Sequence, residues 1–238
     1  MVMFCKVADL IVEVPTADGL DVRCKDYMCN EGEGADIVIR TELYRREKYH
    51  PQMDDAMIAY LESGDQFHRQ LIRFGGFCIH SSAIVREGKA YLFSGPCGTG
   101  KSTHTRLWQT AFGEDTYIIN DDKPSLRRVD GKWYAYGSPW CGKDGINKNE
   151  KVPLAGVCFL KQAKENKIRR LDSFEAMQKI LSQTTYRFAN VEMADGMFKS
   201  LELFLKEIPV YELENLPEVS AAKLSFETMF AGAQEAGL

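Results

Sequence analysis

Tyr91-Leu92-Phe93-Ser94-Gly95-Pro96-Cys97-Gly98-Thr99-Gly100-Lys101-Ser102 is an apolar run, a glycine-rich turn and then a Gly-Lys-Ser triplet. The spacing from Gly95 to Ser102 is the phosphate-binding pattern GxxxxGK[ST]. Glycines let backbone N–H groups approach phosphate oxygens with no Cβ in the way. Lys101 is a compact charge that reaches the β- and γ-phosphates, and the Ser102 hydroxyl suits the octahedral shell of Mg²⁺. Residues 90–93 read as a strand and 103–108 as a helix, so the order is strand, loop, helix, as this chemistry needs. Gly95, Pro96, Cys97, Gly98, Thr99, Gly100, Lys101, Ser102 and Thr103 are therefore the candidate contacts to ATP-Mg²⁺. Cys97 reads as a small residue in the loop rather than a redox switch.

Working outward, Phe77 to Val85 reads as a strand, and Arg86-Glu87-Gly88-Lys89 as a turn. The loop's own strand is then one arm of a β-hairpin, which departs from the all-parallel sheets of common phosphate-loop proteins. On the other side of the loop helix, Thr116 to Asn120 is an apolar strand ending in Asp121-Asp122. A carboxylate there is placed to hold Mg²⁺, and a second to accept a proton from an incoming hydroxyl. Adjacent strand residues face opposite ways, and a strand end relaxes that rule. His80 reads on the residues alone as a hydrogen-bonded core or rim histidine ahead of a phosphate-facing one. Ser138 to Lys143 is either a lid or a loop anchored by Trp140. Arg187 is either a salt-bridge partner or a phosphoryl clamp.

The remaining pattern is mixed. Residues 1–14 and 36–40 read as short strands, and 21–28 as another. Met53 to about Phe74 recurs at helical spacing. A DG turn at Asp130-Gly131 marks a second hairpin. Leu154–Leu160 is a buried strand expected to pair with 167–171. Ser173 is the expected N-cap of a helix to about Thr184, followed by a helix at 194–205, a strand at 209–213 and a helix at 221–230. The expected division is a β-rich segment over 1–50 and the main unit over 51–238.

Composition bounds the rest. The chain has 238 residues, 45% hydrophobic and 27% charged, enough for a sizeable core. Net charge is −4 with no basic block, which argues against nucleic acid. No apolar run approaches a membrane span, and the N-terminus lacks the parts of a signal peptide. Seven cysteines, an odd number with no CxxC, fit reduced thiols in the cytoplasm.

Three stretches together resemble a known family: Ile79-His80-Ser81-Ser82-Ala83-Ile84-Val85, the glycine loop with its strand, and Ile119-Asn120-Asp121-Asp122. They are similar to the HPr kinase/phosphorylase and phosphoenolpyruvate carboxykinase superfamily, closest to the short HPr-kinase-like proteins of bacteria. The resemblance implies a mixed, strongly twisted α/β sheet flanked by helices, with the P-loop entered from a hairpin. It implies active residues at His80, Lys101, Ser102 and Asp122; from the reading of the aspartate pair, Asp121 is the carboxylate expected to hold Mg²⁺ with Ser102. The expected activity is ATP-dependent transfer of the γ-phosphoryl to a hydroxyl of a peptide, protein or small molecule. A nucleotide-binding regulator and a carboxykinase-like enzyme are the alternatives, and a homo-oligomer is compatible with the family. HPr kinases carry a Mg²⁺-binding Glu in the signature that falls on Ser138 to Asn147, where this chain has none.

Overall fold

A computed structural model of the chain describes residues 1–16, 18–30, 34–184 and 190–238. Strands β1 (Val2–Val7) and β2 (Leu10–Pro15) form an antiparallel hairpin, with Ala8 and Asp9 at positive φ in its turn. Helix α1 (Leu20–Cys24) and a 3₁₀ turn (Lys25–Tyr27) follow. The strand expected over 21–28 is therefore helical. Leu20 and Cys24, four apart, are the buried pair, which is helical rather than alternating spacing. The strand expected over 36–40 is only β3 (Ile37–Val38), parallel to β2.

Helix α2 (Asp55–Leu71) starts at Asp54, whose carboxylate accepts from the Met57 N–H at 2.6 Å. It covers the first sheet: Tyr60, Phe67 and Leu71 pack with Val7, Val12, Tyr27 and Ile37, and with Tyr136 and Trp140 from far along the chain.

The predicted strand 77–85 is two strands. β4 (Gly76–Cys78) pairs with β8 (Ser125–Val129), whereas β5 (Ser81–Arg86) pairs with β6 (Lys89–Ser94) and β7 (Tyr117–Asn120). The chain changes neighbours at Ile79-His80, and the apolar residues on both sides of His80-Ser81-Ser82 conceal the break. Helix α3 (Lys101–Phe112) lies between β6 and β7. β9 (Lys132–Tyr136) completes the Asp130-Gly131 hairpin with β8.

β10 (Lys151–Gln162) is the shared strand. Its first residues run antiparallel to β9, and its later residues run parallel to β6 and to β12 (Val210–Asn215). β11 (Lys167–Arg170) pairs with β12, not with β10 as expected, because β12 already lies against that stretch of β10. Helix α4 (Ser173–Gln183) is capped one residue earlier than expected. Asp172 accepts from the Glu175 N–H, while Glu175 reaches back to the Asp172 N–H, a capping box. Asn190 caps α5 (Val191–Glu207), and α6 (Val219–Glu235) ends the fold.

The result is a curled mixed sheet of nine strands with helices on both faces. Alternation along the strands assigns the faces. Leu92, Val157 and Phe159 meet α4 and α5 through Ala176, Ile180, Leu201 and Phe204. Tyr91, Phe93, Cys158 and Leu160 meet α3 and α6 through Trp108, Ala222 and Met229. Burial on both faces is why these strands read as continuous apolar runs. Among the described residues, no helix is long and apolar enough to cross a membrane.

Candidate active site

The glycine loop leaves the end of β6 and enters α3. Gly95, Gly98 and Gly100 hold φ of 145°, 81° and 97°, values that a side chain would strain. A Cβ on Gly95 would also stand 2.9 Å from Thr99 Oγ1. Gly100 is the N-cap of α3 and supplies no side chain to its first turn, so that turn's N–H groups and dipole face the loop. Lys101 Nζ donates to the carbonyls of Gly95 (2.9 Å) and Pro96 (3.4 Å), closing the loop from within. Burial lowers its pKa, against opposing pulls from Cys97, Asp122 and Asp121.

Asp121 and Asp122 lie just past the end of β7 in a turn built by Asn120. The fully buried Asn120 accepts from the N–H of Asp122 (3.1 Å) and Lys123 (2.8 Å), and donates to the Ser138 carbonyl (3.1 Å). This Asx-type turn frees both carboxylates from strand alternation. Both line one cleft of about 530 Å³, together with His80, Lys101, Ser102, Thr103, Tyr60 and Lys143. Asp121 Oδ1 is buried and has no hydrogen-bond partner among the described residues.

Asp122 is held from three sides. His80 Nε2 stands 3.2 Å from Oδ1, the Lys123 ammonium contacts Oδ2, and the Tyr60 hydroxyl is 3.4 Å from Oδ2. Burial works to raise its pKa, but the His80 hydrogen bond and the Lys123 charge outweigh it and hold the carboxyl at about 2. Lys123 in turn, disfavoured by burial, is raised by Asp122.

His80 sits at the break between β4 and β5. Its N–H donates to the Gln183 carbonyl at the end of α4 (3.0 Å), and its carbonyl accepts from Ser94 Oγ (2.8 Å). The next N–H, of Ser81, donates to the Asp122 carbonyl (3.0 Å). The histidine is therefore a rim residue facing the cleft, with about a third of its side chain exposed.

The 138–147 segment divides between the two readings. Trp140 is 1% exposed, stacks on Phe67 at 4.5 Å and donates to Ser63 Oγ, so it is an anchor. Gly142 and Lys143 line the cleft. The Gly142 N–H donates to the Tyr60 hydroxyl (2.8 Å), and its carbonyl accepts from Arg23 (3.3 Å). Tyr60, Arg23 and Lys123 are the site residues that pattern reading missed. Lys123, directly after the Asp pair, carried the one readable signal. Arg187 lies outside the described residues.

These features define a mixed α/β protein with a glycine loop and two aspartates at one end of a curled sheet. Residues 50–216 match the family model described as "ScmC: SynChlorMet cassette protein ScmC", more than half of the chain, and the chain belongs to that family. No curated protein matches. Among solved structures, the Hpr(Ser) kinase/phosphatase from Coxiella burnetii aligns over 66% of this chain and 90% of its own. The identity is 12% and the TM-score 0.35, too slight a likeness to say more.

Proposed function

We propose that the protein is an ATP-dependent kinase that transfers the γ-phosphoryl group to a hydroxyl. One observation carries this reading. Lys101 and Ser102 of the loop, the Asp121-Asp122 turn and His80 come from three separate stretches and face one cleft. A loop that only held phosphates would need the first pair alone.

In this reading the loop amides and Lys101 hold the β- and γ-phosphates. Mg²⁺ fits the residues present: Ser102 Oγ and Asp121 would hold it, since Mg²⁺ takes one or two protein groups alongside substrate phosphates. The unpartnered Asp121 Oδ1 is the atom that such an ion would satisfy. The ion would supply neutralisation of the phosphate charge. Asp122, ionised throughout the physiological range, accepts a hydrogen bond from the acceptor hydroxyl and orients it in line. It takes the proton as the new P–O bond forms and the bond from the γ-phosphorus to the β,γ-bridging oxygen breaks, releasing ADP. A carboxylate of such low pKa is a weak base, which suits a loose transition state where the proton moves late. Tyr60 and Lys123 fix the carboxylate, and His80 steadies its other oxygen.

A nucleotide-binding module without transfer is the second reading, favoured by the Lys123 ammonium lying on Asp122. Calorimetry with ATP and Mg²⁺, together with phosphate transfer or slow ATP hydrolysis, decides between them. Binding without any turnover across a broad acceptor panel selects the second reading. Absence of binding by folded protein removes both.

A further inference from the structure

A second cavity, of about 380 Å³, lies on the other side of the glycine loop, within the usual range of ligand pockets. Gly98, Gly100 and Thr103 line both it and the active-site cleft. Its far wall is built from the ends of strands. β6, β10 and β12 run parallel and end at Ser94, Gln162 and Asn215, and the last two are register partners. Ligands of open α/β sheets sit beyond the carboxyl ends of such strands.

One buried acceptor in this wall, Asn215 Oδ1, lacks a donor among the described residues. Asn215 is 7% exposed, and its Nδ2 donates to the Leu216 carbonyl (3.1 Å), which leaves the oxygen as the free end. His104, from α3, also lines the cavity, and its Nε2 shares a hydrogen bond with Ser225 Oγ (3.0 Å). Burial holds this imidazole neutral. Buried acceptors without donors cost free energy until a ligand supplies them.

We propose that this cavity takes the nucleobase of the phosphate donor and reads its exocyclic amine through Asn215 Oδ1. The inference rests on the reading of the loop as a nucleoside triphosphate site. His80 and Asp122 occupy the acceptor's side of the loop, so the nucleoside leaves on the opposite side. There, Leu107 and Pro217 supply apolar walls.

Calorimetry on the full chain with Mg²⁺ tests it, using ATP, inosine triphosphate, which has no exocyclic amine, and inorganic tripolyphosphate. We expect ATP to bind about tenfold tighter than inosine triphosphate, the worth of one buried hydrogen bond. Asn215→Leu should remove that preference and leave tripolyphosphate affinity unchanged. Leu107→Trp, which fills the cavity, should weaken ATP and not tripolyphosphate, and stands in if the first variant fails to fold. Guanosine triphosphate, with its amine at another ring position, separates the two aminopurines: whichever of it and ATP binds tighter names the base. Equal affinity of wild type for ATP and tripolyphosphate overturns the base site and leaves the loop reading intact. Unchanged ATP affinity in Asn215→Leu does the same. Failure of tripolyphosphate itself to bind removes both.

Discussion

The two sides of the glycine loop are built for different work. The side facing β7 is charged, with Asp121, Asp122, Lys123, Lys101 and Lys143 around one cleft. The side facing β10 and β12 has Leu107, Ala163 and Pro217, with the buried acceptor Asn215 Oδ1 and no carboxylate in its lining. Charge stabilises a transferring phosphoryl group, whereas neutral shape holds a ligand that does not react. The same three loop residues, Gly98, Gly100 and Thr103, line both walls.

The comparison breaks most sharply at Lys101. Lys101→Ala removes the charge between the two sides, and we expect loss of ATP and tripolyphosphate binding alike, with turnover below detection. Retained tripolyphosphate affinity by calorimetry would show that the amides suffice.

Asp122→Asn is next, confined to the charged side. ATP affinity should hold while transfer falls by about 10²–10⁴-fold, the range for a general base. Asp121→Asn should instead raise the Mg²⁺ concentration needed for half-maximal binding. Equal loss of ATP binding in both variants would deny the aspartates separate roles.

The neutral side responds to pH. Burial holds His104 at about 3 in the fold, against 6.5 for the free group, and His68 behind Trp140 likewise. Between about 3 and 6.5 the unfolded chain binds more protons than the folded one. Stability therefore rises with pH through that window and is lost on acidification, by up to about 1.4 kcal/mol per pH unit for each ring. His104→Gln keeps a hydrogen-bonding group for Ser225 and should flatten the acid limb of a urea-denaturation series. An unchanged slope would show that His104 is not buried neutral.

The smallest effect belongs to Tyr60→Phe, which unpairs the Gly142 N–H and removes one of the two donors on Asp122 Oδ2. We expect a loss of about 1 kcal/mol in stability and a rise in the pH at which transfer fails on the acid side.

Much of the fold was legible. The strand–loop–helix order, both hairpins and the helices α2, α4, α5 and α6 followed from apolar spacing and turn residues. What failed has a common cause. In residues 77–85 apolar residues flank His80-Ser81-Ser82 on both sides, and periodicity does not say that a strand changes partners there. The pairing of β11 depended on β12, some forty residues later. Lys101, Ser102, Asp121, Asp122 and His80 were named from sequence and meet in one cleft. Tyr60 and Arg23 were not, because a tyrosine in an amphipathic helix and an arginine in a short one carry no mark of what they meet. Arg23 lies over the Tyr60 ring at 4.2 Å, a contact made only by folding.

The first sheet finishes its core with Trp140 and Tyr136. At the ribosome, residues 1–50 emerge ahead of the elements that cover them, and about ninety more must follow before Trp140 arrives. At roughly 5–20 residues per second that is a wait of roughly 5–20 s. Through it only α2 covers Val7, Val12 and Ile37, and Tyr27 lacks its 2.6 Å bond to Asn147. The N-terminal strands, though made early, are therefore finished late. A chaperone that bound nascent chains by their apolar stretches would meet this protein there.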